Sequence, residues 1–215
     1  VVVCDETDRY PLSAGEEGDP MSLASKRQET FWNRKTIKGS SPTVKGKSVI
    51  ERDYQRSDKR RYFVACPHCD EPQTLRWEQV KWDKDKDADG KTVVHKPDTA
   101  AYQCEHCGTL WTDAERWQAI AASPAKGGGW KATAPFSGIA GFHLSQLYSS
   151  WVKLSKVVTE FLTANGKMPG TFKDPEKIKV FVNTVLAETW DEEGETVDAS
   201  KIDSRGELYG PQDMP

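Results

Sequence analysis

Two short cysteine pairs constrain the fold of this chain more than any other feature. Cys66 and Cys69 form one Cys-x-x-Cys pair, and Cys104 and Cys107 form the other. A two-residue spacing lets both sulfurs of one tight turn reach the same ion, and four thiolates suit a closed, tetrahedral Zn²⁺ site. We therefore predict a structural Zn²⁺ bound by these four cysteines. Two disulfides, or unrelated buried thiols, are the alternative interpretation.

Composition narrows the class of protein. The 215 residues carry a formal net charge of −3, and 36% of them are hydrophobic against 29% charged. A chain of this length forms one or two domains with a hydrophobic core. With no global basic field, any DNA contact would be local. The sequence shows no membrane span and no signal peptide, which favours a reducing intracellular setting and metal over disulfides.

The first sixty residues have the pattern of part of an α/β sheet. Residues 1–4 are continuously apolar, as in a parallel strand buried on both faces. Asp5 and Glu6 follow at the carboxyl end of this strand, where α/β sheets hold ligands. Asp19 and Pro20 have the residue types of a helix start. The other predicted elements are a helix over 20–33, a strand over 35–39 and a helix over 48–57.

The segment around the cysteine pairs predicts short antiparallel strands and then a helix. Thr112 and Glu115 have the spacing of a capping box, which begins this helix. Residues 83–90 are charged and typical of a hairpin tip. The predicted elements are strands over 62–64, 74–77, 92–95 and 108–111, and a helix over 112–121.

The last third of the chain predicts two helices. From Leu154 to Leu162, and again from Ile178 to Leu186, apolar residues recur at i, i+3, i+4, i+7 and i+8. Asp174 is the predicted N-cap of the second helix. The connection over 165–173 suits an antiparallel pair. From residue 191 onward the chain is acidic and without a pattern, as in a linker or tail.

An apolar strand that ends in Asp-Glu has the form of a Walker B motif. In such a motif the first carboxylate, here Asp5, holds Mg²⁺, and the second, Glu6, polarises the water that attacks the γ-phosphate. The pattern by itself also occurs in many unrelated buried strands. Ser41 and Thr43 follow the next predicted strand and would add hydroxyls at the same sheet edge, although they also suit an ordinary turn.

The order of these motifs resembles the large terminase subunit of lambda-like tailed phages, a DNA-packaging motor with an N-terminal ATPase and a C-terminal nuclease. The resemblance extends from Val1 to about Glu188. Its most specific phrases are Ser41-Pro42-Thr43-Val44-Lys45-Gly46, Cys66-Pro67-His68-Cys69, and Phe181-Val182-Asn183-Thr184 with Glu188-Thr189-Trp190.

The resemblance implies a role for each candidate residue. Asp5 would be the magnesium-side carboxylate and Glu6 the catalytic base of the packaging ATPase. Ser41 and Thr43 would lie in the coupling motif, which senses the nucleotide state. The implied fold class is α+β, and its implied parts are the C-terminal part of a P-loop-type ATPase sheet over 1–60, an inserted four-cysteine zinc ribbon over 61–121, a β segment and helical connector over 122–190, and a linker toward a nuclease domain over 191–215.

The resemblance also implies cofactors and partners. Besides Zn²⁺, the full protein would use ATP and Mg²⁺. Its partners would be double-stranded DNA, the small terminase subunit and the portal of the procapsid, within an oligomeric motor in the host cytoplasm and without a membrane. The 215 residues contain no G-x-x-x-x-G-K-[ST] phosphate loop, and the nuclease carboxylates would lie beyond residues 210–215. We therefore expect no ATP hydrolysis by this chain alone.

A different class of function fits the same residues. The chain could be a non-enzymatic zinc-ribbon module that binds nucleic acid or protein, with Asp5 and Glu6 merely ending a strand. His68 and His106, inside the cysteine turns, are predicted to be exposed turn residues, because four sulfurs complete the metal sphere. Metal removal is expected to unfold residues 62–111 and to spare the helical pair.

Overall fold

The structure is a computed structural model that describes residues 1–86 and 93–192. Helices and strands are mixed along this part of the chain, as in the predicted α+β class. The helices are α1 (Pro20–Lys26), α2 (Val49–Gln55), α3 (Asp113–Ala122), α4 (Leu154–Ala164) and α5 (Pro175–Val180). The strands are β1 (Val2–Cys4), β2 (Thr36–Lys38), β3 (Arg60–Ala65), β4 (Pro72–Gln73), β5 (Val80–Lys86), β6 (Val93–Gln103), β7 (Leu110–Trp111), β8 (Gly129–Lys131) and β9 (Phe142–His143).

The N-terminal strands form a two-stranded parallel sheet, with Val3 opposite Ile37. The parallel strand predicted at residues 1–4 is confirmed. The prediction that this strand is buried on both faces is wrong for the described part of the chain, because Val3 is 68% exposed and Ile37 is 55% exposed. Side chains alternate between the two faces of a strand. Cys4, on the opposite face, is buried, as is Met21 of the adjoining α1.

Helix α1 begins as predicted and ends early. The Asp19 carboxylate accepts hydrogen bonds from the backbone N–H groups of Met21 and Ser22, at 3.4 and 3.0 Å. The helix ends at Lys26, well before residue 33. Beyond it, the buried Gln28 side chain donates to the Thr36 hydroxyl of β2 at 2.9 Å, which ties the chain to the sheet in a turn.

Strand β3 is central to the second sheet: it runs antiparallel to β4 and β8 and parallel to β9. The strand predicted over 74–77 is wrong. The backbone N–H of Leu75 donates to the Tyr148 hydroxyl at 2.8 Å, and that of Arg76 donates to the Tyr102 hydroxyl at 3.2 Å. Because side chains satisfy these donors, the segment needs no strand partner.

Strands β5, β6 and β7 form an antiparallel sheet in that order. The strand predicted over 92–95 extends to Gln103, and residues 83–86, predicted as part of a hairpin tip, continue β5. Lys96 of β6 and Asp85 of β5 form an ion pair across these exposed strands. The remainder of the predicted tip, 87–92, lies outside the described residues.

The predicted helices after the second cysteine pair are present. In α3 the capping box is confirmed, with Thr112 and Glu115 exchanging hydrogen bonds at 2.8 and 3.3 Å. The second apolar stripe is helical, but α5 ends at Val180 and a π-helical turn follows over Phe181–Val185. The wider turn buries both Phe181 and Val185.

Aromatic side chains join the helical pair to the β structure. The Trp77 ring lies 5.0 Å from the Phe161 ring and 5.2 Å from the Phe181 ring, and Trp82 of β5 stacks on it at 6.0 Å. The buried core runs without interruption from Cys66 to these helices. Within the described residues, the predicted segments 61–121 and 122–190 therefore share one core.

Candidate functional site

The four predicted cysteine ligands come together in space. Their sulfur atoms all lie within 4.8 Å of one another, and the structure records each cysteine as free. The Sγ atoms of Cys66 and Cys107 are 3.8 Å apart, and those of Cys69 and Cys104 are 3.9 Å apart. A tetrahedron with metal–sulfur bonds of about 2.3 Å has sulfur–sulfur edges of about 3.8 Å. The cluster therefore has the dimensions of a four-thiolate metal site, and these separations are far too long for disulfides.

Both cysteine turns reach this geometry by the same local fold. The backbone N–H of Asp70 donates to the Cys66 carbonyl at 2.9 Å, and that of Gly108 donates to the Cys104 carbonyl at 3.1 Å. At these equivalent positions the chain turns through a left-handed conformation, with φ of 59° at Asp70 and 74° at Gly108. Glycine adopts this conformation without strain and aspartate tolerates it, so each residue suits its turn.

Backbone N–H groups point at the sulfurs. In the first turn the N–H groups of His68 and Cys69 both lie 3.4 Å from the Cys66 sulfur. In the second, those of His106 and Cys107 lie 3.4 and 3.5 Å from the Cys104 sulfur. These donors stabilise thiolate charge. The histidine rings are outside the four-sulfur group and lie 3.5 Å from carboxylates of Glu115 and Glu105.

Gln73 is a buried supporting residue that sequence reasoning missed. Its side chain is 1% exposed, and its amide nitrogen donates to the Cys104 sulfur at 3.0 Å. Its amide oxygen accepts from the Glu105 backbone N–H at 3.0 Å. The residue therefore holds the second cysteine turn against β4. Its position just after the first cysteine turn was the only available signal.

The thiols differ in their readiness to ionise. Burial raises the pKa of the Cys66 thiol to about 12. The hydroxyl and backbone N–H of Thr109 lower the pKa of the exposed Cys107 thiol to about 6. A bound cation favours the thiolate form of every ligand, and metal binding to such a site releases protons.

The second group of predicted residues lies where β1 and β2 end. Asp5 and Glu6 follow β1 and are exposed, while Ser41 and Thr43 follow β2 and are partly buried. The parallel pairing places both strand ends at one edge. The Asp5 carboxylate accepts from the Glu6 backbone N–H at 3.0 Å, and Glu6 has a left-handed backbone with φ of 54°.

Asp8 connects these two strand ends, and the sequence reasoning did not single it out. One carboxylate oxygen accepts from the Thr43 hydroxyl at 3.0 Å, and the other accepts from the Ile50 backbone N–H of α2 at 2.8 Å. Its own backbone N–H donates to the Ser40 hydroxyl at 3.2 Å. The available signal was an acidic residue in the turn directly after Asp5 and Glu6.

Two protein-family models match the chain. The model for the ATPase domain of the phage terminase large subunit gpA matches residues 1–130. The chain belongs to this family. The model for the endonuclease domain of the terminase large subunit gpA matches residues 139–215. The endonuclease match therefore covers much of the segment predicted as a helical connector and all of the predicted linker. No part of these matches favours the alternative of a non-enzymatic zinc-ribbon module.

Two curated relatives agree with the family models. The chain is 32% identical over 222 residues to the terminase large subunit of Enterobacteria phage P21, a match covering 92% of this chain and 31% of that protein. It is 31% identical over 221 residues to the terminase large subunit of Escherichia phage lambda, covering 95% of this chain and 32% of that protein. The terminase chain described here thus spans about a third of the length of these relatives. No solved structure matches it. Among the described residues, no helix combines the length and apolar character that crossing a bilayer requires.

Proposed function

We propose that this terminase chain is part of a packaging motor subunit that converts ATP hydrolysis into translocation of double-stranded DNA and cuts DNA concatemers. The observation that carries the proposal is the Asp5-Glu6 pair at the carboxyl end of a parallel strand, inside the range that the ATPase-domain model matches. The full protein would act as an oligomer in the host cytoplasm, with the small terminase subunit and the portal of the procapsid as partners.

Asp5 and Glu6 have different proposed roles. Asp5 would hold Mg²⁺ on the phosphates of ATP, and Glu6 would orient and polarise the attacking water. Both side chains are exposed at the strand end and are accessible to a nucleotide. The phosphate-binding loop would come from outside these 215 residues, which contain none. Positioning of the phosphates supplies most of phosphoryl-transfer catalysis, so the activity belongs to the full protein.

A substitution in the full-length protein tests this assignment. Glu6→Gln keeps the size of the side chain and removes its basicity, and we expect the kcat of ATP hydrolysis to fall about 10²- to 10⁴-fold. Glu17→Gln, at an exposed position of the following loop, is the matched control and should retain wild-type activity. An ATPase rate in the Glu6→Gln protein within a few-fold of wild type contradicts the proposed role.

The four cysteines are proposed to bind a structural Zn²⁺ in a ribbon. The sulfur spacing and the donor set of four thiolates, which fills a tetrahedral coordination sphere, support a structural zinc over a catalytic metal. The shared core changes the expected effect of chelation. Because Cys66 and Leu154 belong to the same buried cluster, loss of the metal would also loosen α4 and α5.

Metal content and stability test the zinc proposal separately from the ATPase proposal. We expect about one zinc per chain, and less than a tenth of that in a Cys104→Ser variant. Cys4→Ser is the matched control, because Cys4 is buried outside the four-sulfur group. Equal zinc content in the Cys104→Ser and Cys4→Ser proteins overturns the proposal, as does chelation that leaves the thermal unfolding temperature unchanged.

A further inference from the structure

We propose that one exposed face of the sheet formed by β3, β8 and β9 binds single-stranded DNA, by stacking bases on aromatic rings and by contacting phosphates. Arg56, Arg60, Trp130 and Phe142 define this aromatic–basic face. Such a site goes beyond the proposed function, which assigns double-stranded DNA to the motor and gives unpaired bases no binding site. The face shares no residue with the four-cysteine cluster or with the Asp5-Glu6 strand end.

Strand register brings two exposed rings together on this face. Phe142 pairs with Arg60 and Trp130 pairs with Tyr62, and side chains two residues apart lie on the same face of β3. Trp130 is 40% exposed and Phe142 is 54% exposed, and their ring centroids are 5.0 Å apart in an edge-to-face contact. The Tyr62 ring packs edge-on against Trp130 at 5.3 Å. The rings are therefore held in place but open to solvent.

Fixed, exposed rings favour unpaired bases over a duplex. Every base has a flat π-face that stacks on an aromatic side chain, and many proteins hold single strands in this way. In a double helix the neighbouring base pairs cover the base faces, so a duplex presents its phosphates, sugars and groove edges. A surface that bound duplex backbone alone would need cations but no exposed rings. Trp130 and Phe142 supply such rings.

Cations border the rings. The Arg60 guanidinium lies 5.3 Å from the centroid of the Phe142 ring. Among the described residues only Asp58 pairs with it, through Nε at 2.8 Å, so its outer N–H groups remain available to a phosphate. Residues 56–63 and 124–144, which build the face, contain six lysines and arginines and one aspartate, in a chain with a net charge of −3. This local excess of positive charge favours a polyanion over a protein as the partner.

A groove continues the face beside Phe142. Its volume is about 610 Å³, within the range of about 300–1,000 Å³ for small-ligand sites, so it has room for a nucleotide. Phe142 and Ile139 contribute apolar surface to its lining, and Lys38 and Arg56 contribute charge. Lys38 pairs with Asp53 at 2.6 Å, whereas Arg56 has no ion-pair partner among the described residues. Arg56 is thus the cation for the phosphate of a nucleotide whose base stacks on Phe142.

Asp58 fixes the arrangement of the face. It is 0% exposed, and its carboxylate accepts from the Arg60 Nε and from the Gly141 backbone N–H, at 2.8 and 3.1 Å. Its backbone carbonyl accepts from the Thr133 N–H, and its own N–H donates to the Ile139 carbonyl, both at 3.1 Å. These bonds hold the loop over 133–141 and the Arg60 side chain in one position. A strand that binds there loses little free energy to ordering of the protein.

A substitution that removes one ring tests the proposal. The experiment uses the full-length protein without added Mg²⁺ and measures the Kd for a labelled oligothymidine of about 12 nucleotides and for a blunt duplex of the same length. Phe142→Leu keeps an apolar side chain and removes the stacking surface. We expect the Kd for oligothymidine to rise about 5- to 100-fold, the loss of one stacked base, and the Kd for the duplex to stay within about twofold of wild type.

Two further measurements separate a binding role from a structural one. Phe172→Leu, at a ring that is 88% exposed outside this face, is the matched control and should leave both Kd values unchanged. Arg56→Gln should make the dependence of log K on log salt concentration shallower by about 0.7 for oligothymidine, because one phosphate contact is lost. Photocrosslinking of wild-type protein to a bromodeoxyuridine oligonucleotide should label the peptides that contain Trp130 or Phe142, and it decides the matter if Phe142→Leu does not fold.

Three results would overturn the proposal. One is a Kd for oligothymidine in the folded Phe142→Leu protein within about twofold of wild type. Another is an equal rise in the Kd for oligothymidine and for the duplex, because the face would then contact duplex backbone and not unpaired bases. The third is crosslinking confined to peptides that contain neither Trp130 nor Phe142, which would leave the exposed rings to a protein partner.

Discussion

Arg116→Met is expected to destabilise the fold by about 3–5 kcal/mol. Arg116 in α3 is 0% exposed, and its guanidinium lies 2.8 Å from the Asp113 carboxylate. It also donates to the carbonyls of Leu147, Val152 and Ser149, which belong to the segment leading into α4; the contacts with Val152 and Ser149 measure 2.7 and 3.3 Å. Methionine fills a similar volume without any of the five N–H donors.

The magnitude follows from what remains unpaired. The carbonyl of Ser149 keeps the indole N–H of Trp117 at 3.1 Å, and the Asp113 carboxylate keeps the Leu154 N–H at 3.2 Å. The carbonyls of Leu147 and Val152 lose the donor that Arg116 supplied. Two unpaired carbonyls, one buried and one partly buried, cost about 2–6 kcal/mol together, and breaking a largely buried ion pair costs about 3–5 kcal/mol. These two estimates describe the same loss and are not added. The loss is a large part of a typical free energy of unfolding of about 5–15 kcal/mol.

Urea unfolding, followed by tryptophan fluorescence and circular dichroism, measures this loss. Arg116→Lys keeps the charge but has three donors and no planar fork, so we expect it to recover about half of the stability. Arg52→Met, at an exposed position of α2, is the control and should change the free energy of unfolding by less than about 0.5 kcal/mol. A loss below about 1 kcal/mol for Arg116→Met refutes the reasoning.

Two further predictions concern backbone geometry and pH. Gly108→Ala should cost about 1 kcal/mol in thermal or urea unfolding, because φ is 74° and the added Cβ meets nothing within 4 Å. Gly166→Ala should cost clearly more, because φ is 66° and the Cβ would lie 2.4 Å from the Lys173 backbone nitrogen; equal losses contradict this contrast. For the carboxylate of Asp58, burial raises the pKa, but hydrogen bonds from Arg60 and a backbone N–H outweigh it and hold the pKa below 3.8. A depressed pKa contributes stability that is present above the unfolded-state value and is lost as pH falls through the folded-state value. The difference in free energy of unfolding between wild type and Asp58→Asn should therefore narrow as pH falls below 3.8, and a constant difference refutes it.

Local patterns were sufficient for several elements. The capping box at Thr112, the helix start at Asp19 and the apolar stripe from Leu154 depend on residues within one or two turns, and each appears in the structure. The strand predicted over 74–77 failed for the opposite reason. Its donors are satisfied by the hydroxyls of Tyr102 and Tyr148, which lie far away in the chain.

At the candidate sites, too, residues in a local pattern were predicted, and residues with distant partners were not. Spacing alone identified the four cysteines, because two ligands in one tight turn are a local property. Gln73 and Asp8 were not identified, since their partners come from distant segments. The same holds for the buried Arg116, which lies outside both candidate sites.

The amino-acid order of this terminase chain determined the two cysteine turns, the Asp-Glu strand end and most helix starts, because each depends on near neighbours. Only the tertiary structure decided that the cysteine turns and the helices share one core, that one face of the first sheet is exposed, and that Thr43 pairs with Trp190. The physical reason is that burial and hydrogen-bond satisfaction are settled between segments distant in the chain, where local propensity carries no information.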